Sequence, residues 1–134
     1  MKYTEIRCTP KLSKFLKGKG CDLFDYCDAL YHSFDSDNQE AKSITEYYHS
    51  EAKHLYYQAP THQMVLDYIR NKNMLISVVW GCGVDFMHPG YIYEFYDIIN
   101  NKRVYSSDCS YEDYKDCTES AIYHYFNHFY KYYE

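Results

Sequence analysis

No apolar run in this sequence approaches the roughly 18 residues needed to cross a bilayer. The opening "MKYTEIRCTPKLSKF" has no apolar core of the kind a secretory leader carries. A cytoplasmic protein with no membrane partner is therefore expected. The six cysteines (Cys8, Cys21, Cys27, Cys82, Cys109, Cys117) contain no CxxC pair. Without a leader they are expected to be reduced thiols packed as small hydrophobes, and neither a disulfide frame nor a structural zinc site is anticipated. Phosphate-cradling glycine loops are also missing, since "GKG" at 18–20 lacks a strand before it and a helix after it. Cations are scarce outside one segment. Residues 1–20 hold six of them (Lys2, Arg7, Lys11, Lys14, Lys17, Lys19) against Glu5, while 21–134 carry eight basic and eighteen acidic side chains, for a net charge of −5. Nucleic-acid binding requires several cations to displace counterions from phosphates. Only the first segment offers them, so nucleic acid is disfavoured as a partner.

What the chain does have is tyrosine: 19 of 134 residues, in a composition that is 46% hydrophobic. Disordered chains lack aromatics, so a folded protein follows, and its length suits one domain, 1–134, with a core of its own. "PKLSKFLKGKG" reads as a short helix: proline suits the first turn, Leu12, Phe15 and Leu16 share a face, and Gly18 and Gly20 stop it. "CDLFDYCDALYHSF" fits a helix or a strand, and "SITEYYHSEAKHLYYQ" fits a strand pair or a broken helix. Periodicity does not choose between them.

From Ala59 the pattern is sharper. "APTHQMVLDYIRNKN" opens with proline, places Met64, Val65, Tyr68 and Ile69 on one face, and ends in asparagines, which predicts a helix. "MLISVVW" predicts a largely buried strand, "GCGVDFMHPG" a loop, and "YIYEFYDI" a second strand. "NN" is the turn into a third strand, "KRVYSS". In "SYEDYKDCTESAIYHYFNHFY", Ser110 is the expected N-cap with Asp113 three residues on. Carboxylates fill the early turns, and Tyr114, Cys117, Ala121, Ile122, Tyr125 and Phe129 recur at three- and four-residue steps. The tyrosine-rich end is thus the second half of an amphipathic helix. The expected fold is α+β: a three-stranded antiparallel meander flanked by helices, an α-β-β-β-α core at 60–132, preceded by an N-terminal helical segment.

This order resembles the double-stranded-RNA-binding fold, which binds RNA through lysines at the start of its last helix. Here that stretch is "SYEDYKDC", with Lys115 among Glu112, Asp113 and Asp116, and shared topology does not carry function. The combination of "APTHQMVLDYIRNKN", the apolar strand, "YIYEFYDI" and "SYEDYKDCTESAIYHYF" also resembles a group of small uncharacterised proteins of Bacteroides-type bacteria, their mobile elements and phages. That resemblance spans roughly residues 5–130. It implies a phage or mobile-element origin and brings no activity, cofactor or catalytic residue. Tyr114 and Thr118 stand where the group has small residues.

Two constellations bear on chemistry. His124 and His128 stand one helical turn apart, a spacing that lets two imidazoles share a metal, yet a third ligand is needed and no carboxylate stands at a useful helical step except Glu134 at the end of the helix. Rings at a polar–apolar boundary are the expected reading. Cys82, Asp85 and His88 share one glycine-rich loop, a thiol with base and orienter close in sequence. A packed cysteine in a connection is the expected reading there, because triads depend on geometry. No cofactor is expected. The tyrosines outnumber the places inside a domain of this size, and tyrosine suits protein contacts. The sequence therefore points to a non-enzymatic interaction module that binds a host or phage protein or associates with itself as a weak dimer. Its candidate contact residues are Tyr91, Tyr93, Tyr105, Tyr123, Tyr130 and Tyr133. The alternatives are nucleic-acid binding through the basic N-terminal segment and thiol catalysis from the Cys82 loop.

Overall fold

A computed structural model describes residues 6–21, 29–32, 42–43, 56–82, 89–107 and 110–130. They form two compact units, Met1–Val65 with Tyr130–Glu134 and Leu66–Phe129. The elements in chain order are α1 (Pro10–Gly18), β1 (Ala29–His32), β2 (Lys42–Ser43), β3 (Tyr56–Gln58), α2 (His62–Arg70), β4 (Met74–Cys82), β5 (Pro89–Asp97), β6 (Lys102–Ser106) and α3 (Tyr114–His128).

In the N-terminal unit, α1 starts where Thr9 accepts the Leu12 N–H at 3.2 Å and Pro10 takes the first turn. It ends in a Schellman pair, Cys21 N–H to Leu16 C=O and Gly20 N–H to Lys17 C=O, both 3.1 Å, with Gly20 at φ 76. The left-handed residue is Gly20, while Gly18 is still helical. Pro10, Leu12, Ser13 and Leu16 are buried. Cys8 donates its N–H to Pro60, His62 donates to Ile6, and the Arg7 guanidinium donates to the Ala59 carbonyl at 2.7 Å. The two stretches that periodicity left open contain strands: β1 pairs antiparallel with both β2 and β3 in a sheet ordered β2-β1-β3. Cys8 and Cys21, and Cys117 in the other unit, are buried thiols outside any disulfide.

The boundary between units falls inside α2. Thr61 caps that helix by accepting the Met64 N–H at 3.2 Å, and Val65 and Ile69 have no exposed surface. Asn73, at φ 72, turns the chain into β4, a conformation that asparagine tolerates. β4, β5 and β6 form the anticipated antiparallel meander in sequence order. The β5–β6 turn is held by Asp97, which accepts from the Asn100 main chain at 3.1 Å and side chain at 2.7 Å, with Asn101 at φ 52. Those bonds hold the Asp97 carboxyl below its ordinary range.

α3 packs against β5 and β4 and buries Cys117, Ala121, Ile122, Tyr125 and Phe126. Phe126 stacks on Tyr68 of α2 with ring centroids 6.4 Å apart. The fold is α+β, with the α-β-β-β-α order read from the sequence. One boundary differs. The N-cap of α3 is Asp113, which accepts the Asp116 N–H at 3.0 Å, and not Ser110. The reason is a long-range pair: Tyr111 exchanges both main-chain bonds with Tyr91, at 2.7 and 2.8 Å, so the chain is still extended there. This approach is close enough that a Cβ on Gly90 would lie 2.7 Å from the Tyr111 carbonyl oxygen.

Candidate interaction surface

Alternation along β5 sends Tyr91, Tyr93 and Phe95 to one face of the C-terminal sheet and Ile92, Glu94 and Tyr96 to the other. α3 covers the first face. Phe95 has no exposed surface, and its ring meets His124 at 5.4 Å and Phe129 at 5.2 Å, both edge-on. Tyr93 is 5% exposed, and its hydroxyl lies 3.2 Å from His124 Nδ1. Burial first, then the neighbouring phenols of Tyr111 and Tyr105, raise the Tyr93 phenol far above the ordinary tyrosine range, so it stays protonated. Tyr105 lies against the same imidazole with centroids 4.3 Å apart, and His128 follows at 4.8 Å. The His124–His128 step thus serves ring packing. Among the described residues no group of three or more histidine, cysteine or acidic side chains is placed to hold a metal.

The opposite face has a different character. Leu75 is 41%, Val79 39%, Tyr96 37% and Val104 37% exposed. The register sets Leu75 beside Tyr96 and Val79 beside Ile92. Its one central charge, Glu94, is partnered by Arg103 at 3.1 Å and lies 3.5 Å from the Tyr96 hydroxyl. Ile98 and Ile99 extend the apolar surface at the turn, and Ile99 is 72% exposed. At the other end of the sheet, Trp80 is 64% exposed and meets Tyr91 edge-on at 5.2 Å. Tyr91 in turn meets Tyr114, the first residue of α3, at 5.5 Å. These three rings form an open aromatic shelf.

The tyrosines singled out from the sequence fall into different environments. Tyr93 is core, Tyr105 is half-buried against His124, and Tyr123 is half-buried with its hydroxyl shielded from water. Tyr91 belongs to the shelf, Tyr130 is half-buried beyond α3, and Tyr133 lies outside the described residues. The strand "MLISVVW" is not largely buried: among the described residues α3 covers one face of the sheet, Leu75 and Val79 lie exposed on the other, and Trp80, beside Tyr91 on the α3 side, is open at the end of the sheet. Asp85 and His88, with the Cys82 side chain, lie outside the described residues, as do most of the cysteine-loop residues. None of the described helices is long and apolar enough to cross a membrane. Comparison with protein-family models, with curated proteins and with solved structures finds no match for this chain.

Proposed function

We propose that this protein is a non-enzymatic protein–protein interaction module, a cytoplasmic accessory protein of a phage or mobile element of Bacteroides-type bacteria. It acts by binding a host or phage protein or by self-association. The observation that carries the reading is the character of the exposed large side chains in the C-terminal unit. They are Trp80, Tyr114, Ile99 and the aliphatic side chains of Leu75, Val79 and Val104. Tryptophan and tyrosine dominate the binding energy of protein interfaces, and contiguous apolar surface on a soluble domain marks a contact site. The test is capture of host proteins by the tagged wild type and by Trp80→Ser with Tyr114→Ser, alongside sedimentation of both. Loss of a captured protein, or of self-association, in the double variant supports the reading. A wild type that captures nothing and stays monomeric at every concentration overturns it.

A second reading attaches to α1, where Lys11, Lys14 and Lys17 are exposed at three-residue steps. That row suits phosphate contacts. Binding to a nucleic acid that falls steeply with salt supports it, and binding indifferent to salt removes it.

A further inference from the structure

The two edges of the C-terminal sheet are not equivalent. β6 is five residues long, carries Lys102 and Arg103, and meets β5 through a register shift at Phe95/Tyr96. Shortness, charge and irregularity are the devices by which sheets discourage edge pairing. β4 has none of them. It runs nine residues, "MLISVVWGC", without a charge, a proline or an irregularity in its ladder. Among the described residues, β4 pairs with β5 alone.

The hydrogen-bond phase shows which groups the edge presents. Tyr91 gives both main-chain bonds to Tyr111, and the Tyr93 carbonyl accepts from Ser107 at 2.9 Å, so both residues turn away from β4. In an antiparallel ladder their cross-strand neighbours, Trp80 and Val78, then turn their N–H and C=O groups outward. Asn73 fixes the same phase at the start of the strand, since its carbonyl accepts from Ile98 on the β5 side at 3.0 Å. Met74, Ile76, Val78 and Trp80 therefore all present main-chain donors and acceptors to the open edge.

We propose that this edge pairs with β4 of a second copy of the chain, antiparallel about a two-fold axis at Ser77, making one continuous six-stranded sheet. The inference deepens the interaction reading above and rests on it. In this register Met74 lies opposite Trp80 and Ile76 opposite Val78 of the second copy, so every outward main-chain group in those four residues finds a partner. On the open face Leu75 lies opposite Val79, and the apolar rows of the two copies become contiguous. A second copy fits where the rest of the surface resists one. The chain carries −5 overall, but this strand brings no like charges together across the axis. The stretch paired in this register, Met74 to Trp80, is about 23 Å long and a sheet is about 10 Å thick. The pairing thus covers roughly 230 Å² per copy, well below the standard interface, so the dimer it makes is weak and reversible. Dissociation on the order of 10 µM is expected.

Sedimentation velocity across concentrations bracketing that constant tests the proposal, with three variants. Val78→Pro removes an N–H that β5 does not use, and proline is tolerated at such edge positions. It is expected to sediment as a folded monomer. Ser77→Lys places two ammonium groups face to face on the open surface and is expected to weaken the dimer about fivefold. Ser77→Cys puts two thiols at a non-hydrogen-bonded pair about 4.5 Å apart in Cα, within reach of a disulfide. It is expected to cross-link on mild oxidation where wild type does not. A folded Val78→Pro that still dimerises overturns the proposal, as does a dimer in which Ser77→Cys fails to cross-link. A monomeric wild type that captures another protein through Trp80 and Tyr114 also overturns it, while leaving the interaction reading intact. A monomeric wild type that captures nothing removes both.

Discussion

Phe95 and Tyr96 are consecutive residues on opposite faces of one strand, so replacing each with alanine isolates what the α3-facing side contributes. Phe95 has no exposed surface and its ring touches four others: Tyr93, Tyr105, His124 and Phe129. A buried phenylalanine hides about 150–250 Å². Removing about 150 Å² of that, at roughly 25 cal/mol per Å², costs about 4 kcal/mol before any collapse around the cavity, within the usual 3–5 for this substitution. Tyr96 is 37% exposed, and its hydroxyl lies 3.5 Å from the Glu94 carboxylate, so its truncation is expected to cost about 1 kcal/mol or less. Urea unfolding followed by tryptophan fluorescence suits the comparison, because the only tryptophan, Trp80, lies in β4 beside β5. With a slope of about 1–2 kcal/mol per M, Phe95→Ala should move the midpoint down by about 2–4 M and Tyr96→Ala by under about 1 M. Equal losses in the two variants would refute the assignment of faces, and so would a Phe95→Ala loss below about 1 kcal/mol. Either result would mean that α3 does not seal this side of the sheet.

Other perturbations probe the same unit. Gly90→Ala places a Cβ 2.7 Å from the Tyr111 carbonyl oxygen, so the Tyr91–Tyr111 bridge must open; a stability loss of about 1–3 kcal/mol, read from urea unfolding, is expected, and an unchanged midpoint would show that the approach is not close. The Tyr93 phenol has its folded pKa raised, so its contribution is complete below the ordinary tyrosine value near 10 and is lost as pH climbs above it. Wild type should lose up to about 1.4 kcal/mol per pH unit in that window, and Tyr93→Phe should lose less than wild type does; parallel alkaline profiles would show Tyr93 is not responsible. Ending the chain at Ile122 removes Tyr125, Phe126 and His124 from the sheet-facing side of α3. Circular dichroism should then show the C-terminal unit unfolded, and an unaltered melting temperature would make the tyrosine-rich end an appendage.

The sequence disclosed its C-terminal half more readily than its middle, and the reason lies in how far each signal must reach. α2 and α3 announce themselves because successive turns, about two and a half in α2 and four in α3, repeat the same apolar step, and each turn reinforces the last. β1, β2 and β3 have four, two and three residues, too few for a period to show, and each exists only through partners distant along the chain. The start of α3 failed for the same reason. Ser110 has the better local chemistry for a cap, but Tyr111 is held by Tyr91, twenty residues back, and the helix waits until Asp113. The contact residues show the limit most plainly. Counting tyrosines says that some must be exposed but not which, and Tyr93 proves to be core because His124 and Phe95 lie beside it. Conversely "MLISVVW" looks interior because every side chain in it except Ser77 is apolar. Leu75 and Val79 are open because α3 packs on the other face of the sheet, and the strand's outward main-chain groups are open because β4 ends the sheet; both are properties of the assembled fold. An apolar strand at an unprotected edge combines two signals that selection usually keeps apart. Their coincidence in β4, more than the abundance of tyrosine, is what directs the search for a partner.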